Sequence, residues 1–117
     1  MGTISIILRR PPYGSIDAPE AIRHALGGVT KDMTVNLILL DGGAQAARKS
    51  QDTQGTEYQS IEDGIKDCID MGVQVVVDRS SLKEEHLEVT DLVEGVKVLN
   101  SYELAELIKN SDTVMLF

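Results

Sequence analysis

Apolar runs short enough to be single strands alternate along this chain with segments patterned as amphipathic helices. The runs are Thr3 to Leu8, Met33 to Leu40, Val73 to Val77, Val96 to Leu99 and Thr113 to Phe117. Nearly every position in them is apolar or β-branched, without the polar alternation of a half-exposed strand. The segments between them carry helix signals. Asp17, with Glu20 three residues on and Pro19 between, predicts a capping-box start for a helix ending near Gly27-Gly28. A short helix is expected from Ala44 to about Lys49, and Ser60 is placed to cap a helix over Ile61 to Met71 that Gly72 ends. Ser81 with Glu84 predicts another capping box, for a short helix to about Glu88, and Asn100 with Glu103 starts a helix to about Asn110. Ser50 to Gln59 is polar, contains Gly55 and has no periodicity, so a mobile loop is expected there.

A strand that is apolar on both faces must be covered on both. Strands and helices in this order therefore predict an α/β protein: a three-layer α/β/α sandwich around a five-stranded parallel sheet. No internal repeat or composition shift divides the chain, so residues 1–117 are expected to form a single domain.

Charge and composition narrow the function classes. Acidic residues outnumber basic ones by 19 to 11, for a formal charge of −8, and the aromatics are three Tyr, one Phe and no Trp. A nucleic-acid surface needs the opposite charge and stacking rings, so no nucleic-acid partner is expected. No apolar run reaches the length of a membrane span and the start lacks a secretory signal, which predicts a cytoplasmic protein without membrane contact. One cysteine cannot form an internal disulfide, and with two scattered histidines it supplies no metal-ligand cluster; neither metal nor cofactor is expected.

In open parallel sheets the functional crevice lies beyond the carboxyl ends of the strands. Three loops here bring polar residues to that edge: Arg9-Arg10, Asp41-Gly42-Gly43 and Asp78-Arg79-Ser80-Ser81. One reading is a site for an anion or polar ligand; the other is ordinary strand-end chemistry, with Asp41 pairing an arginine and Ser81 capping a helix. No phosphate-loop fingerprint accompanies Gly42-Gly43. Pro11 and Pro12 hold the first loop extended, as a fixed recognition surface needs.

Cys68 shares a helical stripe with Ile61, Ile65 and Ile69, while Glu62, Asp63, Lys66, Asp67 and Asp70 mostly take the other side. A reactive thiol wants exposure and positive charge, so Cys68 reads as core. His24 falls on the first helix and His86 on the surface of the KEEHLE segment, neither with a nucleophile at motif spacing. An enzyme using Asp41 or Asp78 as general base lacks an evident partner group.

In this order the pieces resemble the DsrE/DsrF family of small sulfur-relay proteins, and within it the TusC/DsrF-like branch. The likeness is carried by PPYGS after the first strand, LILLDGG at the end of the second, and the closing NSDTVMLF. The resemblance implies an oligomer, of identical or related DsrE-like subunits, that helps pass persulfide sulfur to a sulfur-carrier protein. It also implies that sulfur-carrying members hold their cysteine just past the third strand. Here VQVVVDRSSLKEE puts Val77, or at latest Asp78, at that place. The expected role is a non-catalytic companion subunit; the alternative is a module of the same fold holding a nucleotide or other small anion. Candidate ligand- or partner-binding residues are Arg9, Arg10, Tyr13, Gly14, Asp41, Gly42, Val77, Asp78 and Arg79, and no residue is assigned as catalytic or metal-binding. Val114, Met115 and Leu116, in a last run with no polar tail, would need further cover from another subunit.

Overall fold

A computed structural model describes residues 2–54 and 60–117. The five strands are β1 (Thr3–Leu8), β2 (Thr34–Leu39), β3 (Gln74–Asp78), β4 (Lys97–Leu99) and β5 (Thr113–Leu116). They form one sheet in the order β4-β3-β2-β1-β5, with every pairing parallel. The helices are α1 (Asp17–Thr30), α2 (Ile61–Asp70), α3 (Arg79–Glu84) and α4 (Ser101–Lys109), with 3₁₀ segments at Asp41–Ala47 and Val89–Asp91. The predicted five-stranded parallel α/β architecture is what the chain adopts. Of the loop expected over Ser50 to Gln59, residues 55–59 lie outside the described residues.

The two sheet faces are filled unequally. On the first, Ile6, Leu8, Leu37, Leu39, Val75 and Val77 are buried under Ala18, Ala21, Ile22 and Ala25 of α1 and Ile61, Ile65 and Cys68 of α2. On the second, Ile7, Ile38 and Val76 meet Leu104 of α4, with Leu107 and Ile108 partly buried beside it. Each large aliphatic side chain so buried contributes about 1.5–3 kcal/mol. One helix leaves part of the second face open: on β5, Val114 is 46% and Leu116 63% exposed.

Four expected helix ends differ, each for a local reason. Asp17 is the first residue of α1 and not its cap; Ile16 precedes it without a side-chain cap, and Glu20 is taken by Arg23 at 2.6 Å. Gly28 does not end α1, which runs on to Thr30; a Cβ there would lie 2.8 Å from Val35 Cγ2, so the glycine lets helix and strand approach. The cap of α3 is Asp78, whose Oδ2 accepts from Ser81 N at 3.1 Å, and this helix stops at Glu84, leaving His86 beyond it at φ 59°. Two caps form as the sequence predicts: Ser60 Oγ accepts from Asp63 N, and Asn100 and Glu103 make a reciprocal capping box.

Candidate functional site

The loops after β1, β2 and β3 are tied together at the carboxyl edge. Arg9 Nε donates to Asp41 Oδ2 at 3.3 Å, Asp41 N donates to Ser81 Oγ at 2.7 Å, and Ser81 Oγ donates to Asp78 Oδ2 at 2.8 Å. Asp41 reaches both partners from a left-handed backbone conformation, φ 51°, which a non-glycine residue adopts at some energetic cost. The glycines after it serve close approach. A Cβ on Gly42 would lie 3.1 Å from Pro11 Cγ, and the site of a Gly43 Cβ is occupied by the Leu8 carbonyl. Pro11 of the first loop thus lies against the DGG segment.

Beside this chain of bonds is an open cleft of about 560 Å³ lined by Arg9, Arg10, Asp17, Asp41, Leu116 and Phe117 around Pro11. Arg10 Nε is 3.3 Å from Asp17 Oδ2, so each arginine has a carboxylate partner. With two guanidiniums facing two carboxylates, this corner is electrically balanced. At these exposures, 58% and 67% for the two arginine side chains, each pair contributes about 0–1 kcal/mol. Pairing through Nε leaves a guanidinium with further donors for a ligand.

The other candidate residues fall elsewhere. The Tyr13 hydroxyl donates to Gln51 Oε1 at 2.6 Å and accepts from Ile61 N at 3.2 Å, fastening the first loop to the start of α2. Gly14 next to it has φ 98°, a turn conformation that favours glycine. Gln51 is a hub that sequence reasoning missed: its Nε2 donates to the carbonyls of Ala46 and Arg48, and its N–H donates to Glu62 Oε1. Burial works against the Glu62 carboxylate, but the Gln51 and Ser50 amides and Lys66 outweigh it and hold Glu62 below the usual range. Val77 is fully buried in the first-face core. Arg79 lines a separate depression with Leu82, Lys83, His86 and Leu87, so the expected three-arginine edge is divided. Leu116 and Phe117, the apolar wall of the cleft, gave no signal because a strand-end hydrophobe reads as core.

Cys68 is fully buried, and burial, with Asp67 adding negative charge, pushes its thiol up to about 12. Among the described residues no three His, Cys, Asp or Glu side chains are grouped to hold a metal ion, and no helix is long and apolar enough to cross a membrane. A groove of about 600 Å³ between α1 and α2 is slightly larger than the cleft but contains none of the candidate residues.

Comparison with known proteins matches the whole architecture. The profile of the DsrE/DsrF-like family matches residues 3–117. The intracellular sulfur oxidation protein DsrF of Allochromatium vinosum is 32% identical over 124 residues, spanning 93% of this chain and 91% of that one. A TusC homolog of Pseudomonas aeruginosa is 28% identical over 114 residues, 97% of this chain and 96% of the relative. The crystal structure of the ychN protein from E. coli superposes with a TM-score of 0.90 at 22% identity, covering 100% of both chains.

Proposed function

The chain belongs to the DsrE/DsrF-like family, and on that premise we propose that it is a companion subunit of a cytoplasmic sulfur-relay complex. It binds a related subunit that carries the reactive cysteine and bears no sulfur itself. The observation that carries this reading is the state of its thiol chemistry. The single cysteine is buried with a raised pKa, and at the end of the third strand stand Val77, a core side chain, and Asp78, a helix cap. Persulfide transfer needs an accessible thiolate attacking at sulfur, and neither position provides one. The names of the DsrF and TusC relatives support the sulfur-relay context. The carboxyl-edge residues Arg9, Arg10, Asp41 and Asp78 are the surface we assign to the partner.

A second reading, a small-anion module, is favoured by the guanidinium donors in the Arg9–Arg10 cleft. Mixing the chain with a family member that has a cysteine after its third strand, adding a persulfide donor and weighing intact subunits tests the first. Sulfur is expected on the partner alone; a sulfur adduct on this chain in its native state would overturn the companion role. Calorimetric titration with a nucleotide and with thiosulfate tests the second, and binding of either that Arg9→Ala with Arg10→Ala abolishes would favour it.

A further inference from the structure

Among the described residues, the outer edge of β5 has no strand beside it. Its outward-facing polar groups can be identified from the bonds at its end. Phe117 N donates to Ile7 O at 2.8 Å and Arg9 N donates to Phe117 O at 3.0 Å, so the peptide groups of Phe117 turn toward β1. Along a strand this direction alternates. Met115 therefore also faces β1, and the N–H and C=O groups of Val114 and Leu116 point away from the sheet. These are the same two residues whose side chains are exposed on the second face. The opposite edge, β4, is three residues long and carries Lys97, a common guard against edge pairing; β5 has neither Lys nor Pro.

We propose that β5 pairs antiparallel with β5 of a second copy, joining the two sheets across a twofold axis at Met115. The pattern is self-complementary. With Met115 opposite its symmetry mate, Val114 lies opposite Leu116 in both directions, so the outward peptide groups of each strand satisfy those of the other. The same register brings the exposed Val114 and Leu116 side chains of both copies into one apolar strip. The proposal deepens the oligomeric part of the relay reading by naming the surface and its occupant.

Sedimentation at micromolar concentration should show a dimer. Val114→Pro removes an outward N–H, at an edge position where proline is tolerated, and Leu116→Lys places a charge in the strip; each should raise the dissociation constant by about tenfold or more. If Val114→Pro fails to fold, Leu116→Lys carries the test. Met115→Cys should give a disulfide-linked homodimer on oxidation, because facing non-hydrogen-bonded residues approach within disulfide range, and Lys97→Cys on the other edge should not. A monomer, a dimer indifferent to Leu116→Lys, or cross-linking at Lys97 in place of Met115 would overturn the proposal. A monomer would leave the relay reading intact, since that is decided by which subunit gains sulfur.

Discussion

A Cβ placed on Gly43 would overlap the carbonyl oxygen of Leu8. No side chain fits there without moving β1 or the segment after β2, so the second glycine of DGG sets the distance between the loops that frame the cleft.

Gly43→Ala should destabilise the protein by about 2 kcal/mol or more, because backbone must shift to admit the methyl group. Gly27→Ala is the contrast: its Cβ would meet nothing within 4 Å inside α1, so it should stabilise by up to about 1 kcal/mol. Urea unfolding of both variants measures the difference. Equal effects would mean that the loops do not approach as described.

Cys68 should resist iodoacetamide and persulfide donors until denaturant is added, as intact mass will report. Its raised pKa also has a sign. The folded thiol stays protonated while the unfolded one ionises near pH 9, so its contribution to stability is full below pH 9 and is lost as pH rises toward 12. Across that window the wild type should lose up to about 1.4 kcal/mol per pH unit relative to Cys68→Ala. Parallel pH profiles would show an exposed or already ionised thiol.

Arg9→Ala with Arg10→Ala should change stability by no more than about 2 kcal/mol, since both pairs are exposed. Partner binding should weaken, and its remaining salt dependence should be shallower. Arg79→Ala, in its own depression, should leave binding at the cleft unchanged. Thermal unfolding and affinity at two salt concentrations separate these outcomes; unfolding of the double variant would make the arginines structural.

Among the described residues, Asn36 Oδ1, buried on the second face, has no hydrogen-bond partner, and its Nδ2 reaches Ser5 Oγ only at 3.4 Å. Replacing it with Leu should raise stability by about 1 kcal/mol, because the lost bond is poor and the orphaned acceptor goes with it. A loss of stability in urea would contradict the orphan assignment.

The layer order was legible because strands buried on both faces leave continuous apolar runs, as in Val75-Val76-Val77, and amphipathic helices such as α2 separate them. Cap identity was less so. Ser81 and Asp78 both suit a cap, and only the approach of the Asp41 amide decides that Ser81 accepts from it while Asp78 caps α3. In the candidate site, strand-end position brought Arg9 and Asp41 together correctly. It misplaced Arg79, whose direction is set by the turn into α3, and Val77, which lies inside β3 with its side chain in the first-face core. Tyr13 joins Gln51, 38 residues away in the chain, and no local pattern marks such a contact.

The central claim, that this chain accompanies a sulfur carrier without carrying sulfur, is tested most directly by native mass spectrometry with a cysteine-bearing family member and a persulfide donor. The account predicts a complex of the two in which the partner alone gains sulfur. A sulfur atom on this chain under native conditions, or no complex with any such family member, would contradict it.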